Sequence, residues 1–132
     1  IVNPKVAPVC AVEKVNEKMP CTLDARELEE MNKRGEITGC VIQGPLAMDN
    51  AISKEAAKHK GITGEVVGDA DIIIMPNIEA GNIMGKTLSF FANATNAGII
   101  MGAKIPVLLV SRADTAEAKL YSILLGALVS QQ

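Results

Sequence analysis

The sequence predicts an α/β fold built on a substantially parallel sheet, and three observations predict it. Short apolar runs alternate with longer segments whose apolar residues recur at helical spacing, the pattern of strands joined by crossover helices. Three of those runs lead into loops rich in Gly, Pro, Asn or acidic residues, and each loop then enters a helix. The composition supplies a matching core. Of the 132 residues 48% are hydrophobic but only 2% aromatic, so the interior must be packed from Ile, Val, Leu, Ala and Met.

The first strand is expected over Lys5–Val12, mostly buried and interrupted by Pro8, which suits an edge or a bulge. Asn16–Cys21 reads as a loop. A helix follows over Asp24–Arg34, with Ala25, Leu28 and Met31 on one face and Gly35 as its stop. Thr38–Gln43 is a second short strand, broken by Gly44-Pro45, and the next helix covers Asp49–His59 and ends at Gly61. Asp71–Met75 is a third strand, closed by Pro76-Asn77. Ile83, Thr87, Leu88, Phe91 and Ala94 predict a long helix over Gly81–Ala97, ended by Gly98. Ile99–Met101 is a candidate short strand and Ile105–Val110 a definite one. The last helix, Thr115–Ser130, carries Leu120, Ile123, Leu124, Ala127 and Leu128 as a core-facing stripe. No internal repeat, low-complexity linker or clear domain boundary is visible.

Charged residues make up 21% of the chain and the net charge is −2, which marks neither a nucleic-acid nor a membrane surface. The longest apolar runs are too short to span a bilayer, and no signal-peptide pattern opens the chain. Cys10, Cys21 and Cys40 are odd in number and lack C-x-x-C spacing. They read as reduced thiols of a cytoplasmic protein, two of them within strands. The chain begins at Ile1 and runs at once into a strand-like segment, which has the look of a piece cut from a longer protein.

In parallel α/β sheets ligands gather at the carboxyl ends of the strands. Gly44–Asn50, Pro76–Asn82 and Ser111–Asp114 occupy such positions and together point to a shared cleft. Ser111-Arg112-Ala113-Asp114 is the most suggestive. The first turn of a helix presents unsatisfied N–H groups and partial positive charge, and Arg112 adds a planar, permanently charged fork. Asp114 and Glu117 form an Asp-x-x-Glu pattern that reads as an N-cap with its capping partner. The bland alternative is a capped helix with a surface arginine.

Other features carry less. Ala80-x-x-x-x-Gly85-Lys86-Thr87 fits a relaxed phosphate-loop pattern between a strand and a helix, but Ala80 replaces the first glycine of the strict motif. His59, the sole histidine, lies between Lys58 and Lys60 at a helix end, where the dipole favours it, so neither a metal nor a histidine-dependent triad is expected. Without a histidine base Ser111 reads as a hydrogen-bond donor rather than a nucleophile. The Glu27-Glu29-Glu30 and Lys33-Arg34 charges read as a solvated helix face.

Six motifs then appear in order: Pro4-Lys5-Val6-Ala7, Val12-Glu13-Lys14-Val15-Asn16, Gly44-Pro45-Leu46-Ala47-Met48-Asp49-Asn50-Ala51, Gly68-Asp69-Ala70-Asp71, Pro76-Asn77-Ile78-Glu79-Ala80-Gly81-Asn82 and Ser111-Arg112-Ala113-Asp114. Together they resemble the phosphate acetyl/butyryltransferase family, most closely its butyryl branch, and the match looks like the C-terminal portion of longer proteins. The resemblance implies a three-layer fold like that of the isocitrate and isopropylmalate dehydrogenases, with one lobe plus part of the second. Residues 1–104 would be mainly one lobe, and residues 105–132 would return to the other, incomplete one.

The implied reaction is reversible transfer of a short acyl group, butyryl or branched-chain, between coenzyme A and inorganic phosphate. Coenzyme A is a substrate, and no tightly bound cofactor or metal is implied. The implied partners are acyl-CoA and phosphate together with a second copy of the chain in a homodimer. Such a reaction gains from alignment of the two reactants and from stabilising a tetrahedral oxyanion. Arg112 would bind phosphate or polarise the acyl carbonyl, and Ser111 would donate to the oxyanion or to phosphate. Asp49, Asn77, Glu79, Gly81, Asn82 and Lys86 would line the substrate cleft. The acetyl branch has an Asp seven residues after this Ser, proposed to deprotonate the thiol, where this chain has Ala118. Asp114 or Glu117 could replace it, or the thiol could need little assistance, and for Asp114 capping competes with catalysis. The rival readings are a catalytically incompetent fragment or dimerisation module of the same fold, and a related domain that senses acyl-CoA.

Overall fold

The structure is a computed structural model that describes residues 1–131. It contains two compact units, Ile1–Asn82 and Ile83–Gln132. Among the described residues no helix is long and apolar enough to cross a membrane.

The first unit holds β1 (Lys5–Pro8), α1 (Pro20–Lys33), β2 (Val41–Ile42), α2 (Met48–Ile52), α3 (Lys54–Lys60) and β3 (Ile72–Ile74), and the start of α4 (Ile78–Phe90). Its three strands form one parallel sheet in the order β2-β1-β3. The expected α/β fold with a parallel sheet is present. The strands are shorter than their apolar runs, because a residue counts as strand only where a neighbour supplies the ladder.

Pro8 corrects the expectation of an edge or bulge, since it lies in the central strand opposite Ile74. Its carbonyl accepts from Leu46 N–H at 3.2 Å, so Pro8 faces the β2 side of β1, and β2 has already ended at Ile42. The missing N–H therefore removes no bond from the β1–β3 ladder, and Val9 N–H continues that ladder to the Ile74 carbonyl at 2.9 Å.

Helix α1 begins four residues before the expected Asp24, at Pro20, whose fixed φ and absent N–H suit the first helical position. The expected stop is present: Gly35 takes φ +76°, and Glu36 N–H reaches the Met31 carbonyl while Gly35 N–H reaches Asn32. The charged face needs one correction. Glu29 is nearly buried and accepts from Arg26 at 2.8 Å and Lys33 at 2.9 Å, so it belongs to the packed side of the helix. Asn32 then joins α1 to β2, its Nδ2 donating to the Ile37 and Cys40 carbonyls and its Oδ1 accepting from Ile42 N–H.

The single helix expected over Asp49–His59 is two helices. Ser53 is extended (φ −129°, ψ 113°), and its hydroxyl accepts from Ala56 N–H, capping α3; Gly61 ends α3 as expected. The core is aliphatic, with Ala7, Val9, Leu46, Ala51 and Val66 at its centre. Lys5 closes the unit's other side: its backbone N–H donates to Asp71 and its ammonium to Asp69 at 2.7 Å, which gives the Gly68–Asp71 motif a structural role.

No cysteine lies in a strand, contrary to expectation: Cys10 follows β1, Cys21 is in α1 and Cys40 precedes β2. All three are free thiols. Burial, together with the neighbouring Cys21, pushes the Cys10 thiol up to about 12. Cys21 and Cys40 should therefore react with iodoacetamide at pH 8 well before Cys10, with peptide mass mapping as the readout. Equal labelling rates would contradict the burial of Cys10.

The second unit holds the rest of α4 and α5 (Ala116–Val129). Helix α4 was expected over Gly81–Ala97 but ends at Phe90, and Asn93 adopts a left-handed φ of +49° that turns the chain aside before Gly98. Ile105–Val110, expected as a strand, is not one. Its sole pairing among the described residues is an antiparallel bridge, Ile100 to Val107, with Ile100 N–H on the Val107 carbonyl at 2.8 Å. The stripe on α5 is likewise not buried: Ile123 and Leu128 are 55% and 62% exposed, while Ser122 and Gly126 are buried. Gly126 has a packing reason, because a Cβ there would lie 2.6 Å from Leu108 Cδ2.

Candidate functional site

Parallel strands place their carboxyl ends on one edge of the sheet. In the first unit Gly44–Asn50 follows β2 there and Pro76–Asn82 follows β3. Because β1 is flanked by β2 on one side and β3 on the other, chain direction switches at this edge, where ligand crevices form in doubly wound sheets. The loop after β1 belongs to the same edge, and Val12–Lys18 lines a concave surface there.

Most candidate side chains of this unit have visible structural duties. Asn77 Oδ1 accepts from Ala80 N–H at 2.8 Å and caps α4. Glu79 is exposed in the first helical turn, where the dipole favours a carboxylate, and Asn82 is exposed one turn on. Gly81 is half-buried, and a Cβ there would meet Met75 at an ordinary 3.6 Å. Asp49 pairs with Lys60 at 2.9 Å.

Lys60 also binds Glu13 at 2.6 Å, and Glu13 in turn accepts from Asn50 Nδ2 at 2.8 Å. Four residues thus tie the loop after β1 to α2 and the end of α3. Asn50 is fully buried, and its Oδ1 has no partner among the described residues. Glu13 joins this network without having been singled out in the sequence, where the available signal is its position just beyond the central strand. The Lys60 ammonium holds the Glu13 and Asp49 carboxyls below their ordinary values, while the two carboxylates raise Lys60. For carboxyls lowered in the folded state, the stabilisation is present above their ordinary values and is lost as pH falls through the lowered ones. Melting temperature should therefore drop below about pH 4. The drop should be modest, since Lys60 and Asp49 are exposed and Glu13 only half-buried, and shallower in Lys60→Met by circular dichroism. An identical acid limb in that variant would exclude the network as its source.

In the second unit the Ser111–Asp114 turn forms by its own local bonds, without the expected strand before it. Asp114 N–H donates to the Ser111 carbonyl at 3.1 Å, and Ser111 N–H donates to Asp114 Oδ2 at 2.7 Å. Asp114 is therefore not the N-cap of the last helix. That role belongs to Thr115, whose Oγ1 accepts from Ala118 N–H at 3.1 Å. Arg112 is exposed at the turn. Lys86 Nζ donates to Ser111 Oγ at 2.9 Å, so Lys86, Ser111, Arg112 and Asp114 come together around one turn.

Gly85-Lys86 lies within helix α4, so the relaxed phosphate-loop pattern forms no phosphate-cradling loop. Glu117 accepts from Tyr121 OH at 2.8 Å, which raises the tyrosine above its ordinary value. Asp114, Glu117 and Ala118 also line a concave surface with Asn93, Thr95 and Asn96, which Ser111, Arg112 and Lys86 do not line. No cluster of three or more His, Cys, Asp or Glu side chains among the described residues could hold a metal ion.

Residues 1–127 match the family model described as "Phosphate acetyl/butaryl transferase". The chain is 60% identical over 130 residues to a phosphate butyryltransferase of Clostridium acetobutylicum, covering 98% of this chain and 43% of the relative. It is 56% identical over 125 residues to a phosphate acetyltransferase of Thermotoga maritima, covering 95% and 42%. A branched-chain phosphotransacylase structure from Enterococcus faecalis superposes with a TM-score of 0.84 at 38% identity, over 96% of this chain and 45% of that one. The chain thus spans less than half the length of the curated relatives it matches.

Proposed function

Because the chain belongs to the phosphate acetyl/butaryl transferase family, we propose that it supplies the Ser111–Arg112 side of an active site that moves a short acyl group between coenzyme A and inorganic phosphate. The observation that carries this is the gathering of Lys86, Ser111 and Arg112 at one turn, two cations and a hydroxyl suited to an anion. A phosphate oxygen attacks the thioester carbonyl carbon and gives a tetrahedral oxyanion. The C–S bond then breaks, and the sulfur leaves as thiolate and takes the proton that phosphate loses. Arg112 binds phosphate or the carbonyl oxygen, and Ser111 donates to the charge that develops.

In this proposal Asp49, Asn77, Glu79, Gly81, Asn82 and Lys86 border the substrate cleft. Asp114 holds Ser111 in place, and it and Glu117 are the two carboxylates near enough in sequence to assist the thiol. The full molecule is a cytoplasmic homodimer with the two-lobed isocitrate dehydrogenase-like arrangement. In it residues 1–104 form mainly one lobe and residues 105–132 return to the other, whose surface covers the exposed Ile123 and Leu128. The acyl chain is butyryl or branched.

Thiol release tests the proposal. Butyryl-CoA and phosphate are incubated with this chain, and with a full-length chimera in which the chain replaces the matching part of a longer relative. Phosphate-dependent release of free thiol by the chimera is expected. No release by a folded chimera would overturn the enzymatic reading, whereas release by the chimera alone would mean that this segment needs the rest of the molecule.

A further inference from the structure

We propose that Lys86 is a positioning residue that works through Ser111, fixing its hydroxyl as an outward-facing donor. A serine hydroxyl has two acceptor lone pairs and one proton. At Ser111 Oγ the acceptors are taken by Lys86 Nζ at 2.9 Å and by Ala113 N–H at 3.4 Å. Neither partner can accept a hydrogen bond: an ammonium and a backbone N–H are donors only. The Ser111 proton therefore points to neither of them, and donation to a third group is the one capacity left. The ammonium also draws electron density from the oxygen, which makes that O–H a stronger donor to an anion.

The backbone of the same residue is held independently. Ser111 N–H is bound to Asp114 Oδ2 and the Ser111 carbonyl receives Asp114 N–H. Asp114 thus fixes where Ser111 stands, and Lys86 fixes which way its proton faces. The inference rests on the reading of the turn as the place where phosphate or the oxyanion binds.

A double-mutant cycle in the full-length chimera tests it, with kcat and KM for phosphate measured for Ser111→Ala, Lys86→Met, Lys86→Arg and the Ser111→Ala/Lys86→Met pair. Ser111→Ala and Lys86→Met should each lower kcat/KM by about 10- to 100-fold, the scale of a hydrogen bond to a charged group. The double variant should be within about twofold of Ser111→Ala, as coupling through one contact requires. Lys86→Arg, which keeps a charged donor, should recover much of the loss. Losses that multiply in the double variant, with Ser111→Ala impaired, would overturn the relay and leave the reading of the turn intact. Full activity of Ser111→Ala would instead overturn that reading.

Discussion

In the full-length chimera, Arg112→Ala is expected to lower the proposed phosphate-dependent release of coenzyme A by about 100- to 1,000-fold, the range seen when one donor to a developing oxyanion is removed. The size follows from the role proposed for Arg112 at the turn. A guanidinium presents two parallel N–H groups to a phosphate or carboxylate edge, and Arg112, exposed and without an ion pair among the described residues, can do so. The two other arginines are exposed as well but committed, Arg34 to Glu36 at 2.6 Å and Glu27 at 2.7 Å, and Arg26 to Glu29 at 2.8 Å. Arg34→Ala should therefore leave turnover unchanged and serves as the control. Arg112→Lys should recover only part of the rate, since a point charge cannot reproduce the fork. Steady-state kinetics at several phosphate concentrations separate the two roles. A raised KM at constant kcat marks ground-state phosphate binding, and equal falls in kcat and kcat/KM mark contact made only in the transition state. An unchanged rate and phosphate dependence would remove Arg112 from the site.

Leu46→Ala is expected to destabilise the first unit by about 2–5 kcal/mol, the cost of deleting a buried leucine and leaving its cavity. Leu46 is only 2% exposed and packs with Ala7, Val9, Ala51 and Val66. Its backbone also carries bonds at the end of the sheet, donating to Pro8 and accepting from Cys10 N–H at 2.8 Å, so neighbouring chain cannot easily collapse into the void. Against a typical domain stability of about 5–15 kcal/mol this is a large fraction. Leu23→Ala, at a position 42% exposed on α1, should cost much less. Equal shifts in urea midpoint for the two variants would contradict the placement of Leu46 in the core.

Much of the first unit was legible because its signals are local. Gly35 and Gly61 mark helix ends through the backbone conformation each adopts, and Pro76-Asn77 both closes β3 and opens α4. Pro8 departs from expectation because the rule against proline in a central strand concerns the lost N–H, and here the position that N–H would occupy faces the side where β2 has run out. Ile105–Val110 differs for another reason: apolar spacing reports a wish for burial and pairing, whereas a strand needs a neighbour, and among the described residues only Ile100 answers. Asp114 and Thr115 are both good capping residues one position apart. The decision fell to a bond that no motif shows, Ser111 N–H to the Asp114 carboxylate.

The candidate site was legible as chemistry and illegible as geometry. Ser111, Arg112 and Lys86 could be nominated from residue type and resemblance, but Ser111 lies 25 positions after Lys86, and their contact is a tertiary fact. Glu13 shows the converse. Its company with Asn50 and Lys60 is plain once the strands are paired, and nothing in its local spacing announces it.

The order of the sheet also sets a timetable for making the protein. β1, its middle strand, is the first to be synthesised, whereas one of its two neighbours, β3, arrives only after the stretch separating Lys5 from Asp71, 66 positions later. At a synthesis rate of about 5–20 residues per second, that strand waits roughly 3–13 s with one flank unpaired. A nascent chain halted before Ile72 would carry an open, apolar strand edge, the kind of surface that chaperones bind and that neighbouring chains can pair with. Translation pauses before β3 has been made and has left the ribosome should thus be costly to yield, and later pauses should not.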